Sequence, residues 1–280
     1  MFKGVLKKML TTNNCPIRYF LTFDNDFLEI NQCIGRKLSI TKTGEKCTNC
    51  GKRLNIFRQG FCKNCFYDSP FIGDWIIRPE LSTAHLGIED RDLEYEKKIQ
   101  LRPHIVYLSL SSHLKVGVTR KEQVVTRWID QGATSAISIL EVPNRYLAGK
   151  AEVELKKVFS DKTNWRKMLQ NNIEKIDWEL SKEKAFDNIS NDFKPYFLKE
   201  NKVTELIFPI EKHPIKVSSL NLSKSSYKGV LSGIKGQYLI FEDDTVFNIR
   251  GNEGTEGIIS IDELYFFEPS VNFFSDFISL

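Results

Sequence analysis

A chain of 280 residues has room for two or three compact units, and its mix of 41% hydrophobic, 27% charged and 12% aromatic residues excludes an intrinsically disordered polymer. No apolar run approaches the ~20 residues of a membrane helix, so we expect a cytoplasmic protein with no membrane partner. The net charge of +4 is unevenly spread: residues 36–66 hold eight Lys or Arg against one acid (+7), and residues 240–280 hold one Arg against nine acids (−8).

In chain order, residues 1–10 interleave Lys3, Lys7 and Lys8 with Phe2, Val5 and Leu6 but lack an apolar targeting core, so they read as part of the fold. Short apolar runs at 19–23, 27–30 and 37–40, broken by Asp24-Asn25-Asp26 and Gly35, predict an N-terminal β meander over 1–45. A cysteine cluster and a connector fill 46–98. A mixed unit spans 99–204, with strands at 104–110 and 114–119 forming a hairpin. Thr119 and Glu122 read as a capping box opening a helix that stops at Gly132. A strand at 136–142 and a helix at about 147–159 follow. Polar residues 218–228 read as a linker, and the runs at 238–241, 246–249 and 257–261 echo the N-terminal meander. They predict a small SH3-like β domain over 205–280. The fold class is therefore α+β.

Cys47-Thr-Asn-Cys50 and Cys62-Lys-Asn-Cys65 are two C-x-x-C units. Two intervening residues let both sulfurs of a unit turn toward one point, and two such units complete a tetrahedral S4 shell for Zn2+. The absence of a secretion signal disfavours disulfides, and a redox pair needs no duplicate; spacing alone leaves an iron site open. A closed S4 site has no open coordination position, so its role is structural. Lys52, Arg53, Arg58 and Lys63 around it, with Arg120 further on, are the candidates for contacting DNA or RNA. The acidic C-terminal part would repel such a partner; it could pack on the basic part or offer a face to a protein. Cys15 and Cys33 read as small core residues.

The central segment resembles the GIY-YIG nuclease superfamily. The resemblance rests on Val106-Tyr107-Leu108, Lys115-Val116-Gly117, Arg127 and Glu152. Most of the chain more closely resembles an uncharacterised bacterial family of unknown function with a tetracysteine knuckle. That likeness is carried by Lys115-Val-Gly-Val-Thr-Arg120 and by the stretches at 126–133 and 161–169. The nuclease resemblance implies Glu152 as the ligand of a catalytic Mg2+ or Mn2+ and Arg127 as the group holding the phosphate. Tyr107 would be a general base, its pKa lowered by Lys115 and the metal. Two departures stand out: Lys115 replaces the second motif tyrosine, and Gln131 occupies a position where many members carry His or Tyr. The expectation is a metal-dependent nuclease, with a non-catalytic nucleic-acid-binding protein as the alternative.

Overall fold

The computed structural model describes residues 1–23, 26–222 and 226–262. In chain order its elements begin with β1 (Phe2–Val5), β2 (Leu10–Thr12), β3 (Arg18–Thr22), β4 (Phe27–Glu29) and β5 (Lys37–Glu45). Three short helices cross the knuckle and connector: α1 (Lys63–Asp68), α2 (Asp74–Ile77) and α3 (Leu93–Gln100). The central segment holds β6 (His104–Leu110), β7 (Leu114–Arg120), α4 (Val124–Asp130), β8 (Ser135–Val142), α5 (Arg145–Leu155), α6 (Trp165–Leu169), α7 (Trp178–Asp187) and β9 (Thr204–Glu205). The last stretch supplies β10 (Ser218–Ser219), β11 (Tyr227–Lys235), β12 (Tyr238–Phe241), β13 (Thr245–Asn248) and β14 (Thr255–Ile261).

The central sheet runs β7-β6-β8-β9. Its β6 is buried at every position, because it is covered on both faces. Alternate side chains serve two cores, as the period of a strand requires. Val106 and Leu108 pack with Ala148, Ala151 and Leu155 of α5 and Ala185 of α7. Ile105 and Tyr107 face the other way, into a core they share with Trp128 and Ile129 of α4 and with Leu21, Leu38, Ile40 and Phe247 from the two ends of the chain. Fully burying each such aliphatic side chain is worth roughly 1.5–3 kcal/mol before entropy is counted.

The β segments at the two ends share one seven-stranded sheet, antiparallel except where β10 joins its edge, in which β14 lies between β1 and β5 and β5 pairs in turn with β11. Ile259 stands opposite both Phe2 and Ile40, and Leu38 opposite Gly229. Strands β2, β3 and β4 form a separate three-stranded sheet.

Three local expectations are corrected. The Thr119–Glu122 capping box does not form, because Thr119 remains in β7, paired with Ile105, and α4 starts only at Val124. Glu122 instead lies 3.5 Å from both Arg102 and Arg120. Cys33 is buried, but Cys15 is exposed ahead of Pro16 and contributes no core. The ends of the expected linker are strands, since Ser218 and Ser219 pair in parallel with β13 and Tyr227 opens β11. The turn residues Asp24 and Asn25, and the acids Glu263, Glu268 and Asp276, lie outside the described residues. No helix among the described residues is long and apolar enough to cross a membrane.

Candidate functional site

The four cysteines converge as their spacing requires: their Sγ atoms all lie within 4.8 Å of one another. Tetrahedral metal–thiolate bonds of ~2.3 Å place sulfurs about 3.8 Å apart, and Cys50 and Cys62 already stand at 4.0 Å. Burial opposes ionisation of Cys47. Backbone N–H groups, among them that of Cys62 at 3.3 Å, outweigh it and bring the thiol down to about 6. The cluster can hold a metal such as zinc. Its loop is tied to the large sheet by the Lys46 N–H donating to Gly254 O at 2.8 Å.

A second site lies beside β7, the edge strand of the central sheet. Tyr107 of β6 is paired with Gly117 of β7. The tyrosine ring crosses that glycine so closely that a Cβ there would stand 2.6 Å from Oη and 2.7 Å from Cζ. Only a residue without a side chain lets the ring lie across the neighbouring strand. The Tyr107 hydroxyl donates to Gln131 Oε1 at 3.0 Å, just beyond the end of α4. Burial raises its pKa, and the Arg127 guanidinium offsets only part of the rise. The expected lowering by Lys115 is therefore corrected: the ring is wholly buried, and desolvation dominates.

Lys115 points to the same side of the sheet, is 3% exposed and donates to Thr163 Oγ1 at 2.6 Å. Burial, with Arg127 adding to it, brings the amine down to about 7. Glu152 reaches the cleft from α5, whose apolar stripe Ala148–Ala151–Leu155 faces the core. Its Oε2 is buried and accepts no hydrogen bond; Lys156 Nζ lies 3.4 Å away. Burial raises this carboxyl, with Lys156 working against the rise. The same Lys156 amine is 3.5 Å from Asp161 Oδ2.

Tyr107, Lys115, Arg127 and Glu152 all line one cleft of about 1050 Å³. The cleft extends from β7 to Thr48 and Phe61 of the knuckle, to Lys7 and Lys8 after β1, and to Arg250. Eight lysines and arginines line it against three acids, a formal +5. Arg120 belongs to this cleft and not to the knuckle surface. Lys52, Arg53, Arg58 and Lys63 are exposed elsewhere on the knuckle, and Arg53 pairs with Glu256 at 3.0 Å. At 74% exposure Arg53 gains little from that pair.

Sequence reasoning missed Arg145, Lys156 and Asp161. Arg145 and Lys156 stand seven residues before and four after Glu152, spacings that share its helical face, so a cationic stripe was readable there. Asp161 sits in a loop and left no periodic signal.

No curated protein and no solved structure matches this chain. A family model does match, over residues 35–256, an interval that contains the four cysteines and all four side chains singled out in the cleft. The chain therefore belongs to the family described as protein of unknown function, DUF2797.

Proposed function

We propose that the protein is a metal-dependent nuclease whose reaction takes place in the cleft beside β7, with a structural zinc in the four cysteines. The observation that carries this reading is the convergence of Tyr107, Lys115, Arg127 and Glu152 in a cleft of formal charge +5. A polyanion is attracted to such a cleft, and its phosphates meet groups able to hold and hydrolyse them.

The residues suit a divalent cation at Glu152: its buried Oε2 makes no hydrogen bond and has only the Lys156 amine, 3.4 Å away, as an ionic neighbour, which a Mg2+ or Mn2+ ion would displace. Such an ion, when bound, supplies Lewis-acid neutralisation of the phosphate oxygens. Arg127 holds the phosphate and offsets the charge that builds on it. Lys115, with its amine near neutrality, accepts a proton from the attacking water. The water oxygen then bonds to phosphorus, the P–O bond to the departing sugar oxygen breaks, and that oxygen takes a proton from solvent. Tyr107, held above its ordinary pKa, keeps its proton and orients the water as a hydrogen-bonding partner.

The test incubates zinc-loaded protein with single-stranded, duplex and branched DNA and RNA in Mg2+ or Mn2+, beside Glu152→Ala. Cleavage by the wild type should fall at least ~100-fold in the variant, the scale of losing a principal electrostatic group. Salt-sensitive binding with no cleavage of any substrate would favour the non-catalytic alternative.

A further inference from the structure

Part of the lining of the same cleft is chemically unlike the rest. Leu10 of β2, with Phe71, Ile76 and Ile77 on and just before α2, line it and are 58%, 51%, 38% and 75% exposed. Isolated exposed apolar side chains are ordinary; four on the rim of one cationic cleft ask for a ligand with both apolar and anionic parts.

The part of this lining around α2 is fixed in place. Arg145, at the start of α5, donates from Nε to Trp75 O at 2.9 Å and from a terminal nitrogen to Ile76 O at 2.8 Å, with its guanidinium 5.4 Å from the Trp75 ring. One turn later Gly149 packs so closely on the connector that a Cβ there would overlap the backbone of Pro79 and Glu80. Phe71 rests edge-on against Tyr95, with centroids 5.1 Å apart. The helix that carries Glu152 therefore also holds the apolar lip at a set distance from the reacting groups.

We propose that the cleft takes an unpaired strand, with the phosphates on the cationic floor and the bases against the lip and Phe61. This inference rests on the nucleic-acid reading of the site. A duplex turns its phosphates outward and stacks its bases inside. Its approach would press Phe71, Ile76 and Ile77 against charged phosphates, desolvating those phosphates with no partner in return. Unpaired bases offer apolar faces to the same side chains, and stacking of this kind is insensitive to sequence. The burial of Lys115 and Glu152 points the same way, since a flexible single strand can carry one phosphate down to them. An apolar protein segment would satisfy the lip but leave the excess of lysines and arginines over acids in the cleft unmatched.

The experiment is fluorescence anisotropy on full-length zinc-loaded protein at fixed salt, without added divalent cation. It uses a labelled 12-nucleotide single strand of DNA or RNA and the duplex made from it. The single strand should bind at least tenfold more tightly than the duplex. Phe71→Ala should weaken single-strand binding about 5- to 150-fold, the range of losing one aromatic stacking contact, Ile77→Ser should weaken it by a smaller factor, and neither should move duplex binding by more than about twofold. Phe71→Tyr should restore the affinity. Both positions are exposed, so folding is expected to survive, and coincident thermal melts would verify it. Equal or tighter duplex binding would overturn the inference, as would lip variants with unchanged single-strand affinity, the result expected of a protein-docking lip. Failure of both forms to bind would remove the nucleic-acid reading itself.

Discussion

Tyr107 occupies a position that one neighbouring residue makes available. Its ring lies over Gly117, its hydroxyl is bonded to Gln131, and its side chain is buried at the edge of the cleft. A methyl group at 117 would stand 2.6 Å from the hydroxyl and 2.7 Å from Cζ, so it must displace the ring from its place across the strand. Gly117→Ala is expected to cost about 1–3 kcal/mol by overpacking, whereas an exposed strand glycine would gain from the same change. Urea unfolding checks the sign, and a stabilised variant would show that the ring is not held as described. The hairpin that carries Tyr107, Lys115 and Gly117 was legible, because two apolar runs separated by a short polar turn specify antiparallel pairing locally. The direction of the Tyr107 pKa was not, because desolvation depends on tertiary packing: the ring lies against Trp128 of α4, in a core shared with strands from both ends of the chain.

At the scale of elements, α5 does three things at once. Its apolar stripe buries against the central sheet, Glu152 emerges beside that stripe, and Gly149 and Arg145 fasten the connector. The helix was readable, expected at about 147–159 and found at Arg145–Leu155; the fastening was not, because a glycine in mid-helix shows in sequence only as a weak helix former. Gly149→Ala should improve the propensity of an isolated helix, yet in this protein it forces α5 away from Pro79 and Glu80. We expect faster backbone amide exchange over 71–81 and a lower melting temperature, with the knuckle cysteines still binding metal. Unchanged exchange in that segment would show that the contact does not hold the lip. The start of α4 gives the opposite lesson. Thr119 and Glu122 satisfy the local rule for a cap, but pairing of β7 with β6 up to Arg120 takes precedence.

For the whole molecule, the principal feature that sequence did not reveal is the joining of its ends. Strands β1 and β5 pair with β14, and β5 also pairs with β11, contacts between residues some two hundred positions apart that leave no local periodic mark. The strands themselves were largely recognised, and so was the cysteine cluster, because a C-x-x-C unit carries its geometry locally. The cleft depends on all these parts: β7, α4 and α5 supply the reacting groups, the knuckle supplies Thr48 and Phe61, and the two ends supply Lys7, Lys8 and Arg250. The most direct test of the account is a Mn2+ titration of zinc-loaded full-length protein, followed by electron paramagnetic resonance, beside Glu152→Gln. The account predicts one bound Mn2+ per chain in the wild type and at least about tenfold weaker binding in the variant, because the ion's protein carboxylate is gone. Equal binding in the two proteins, or none in the wild type, would contradict it.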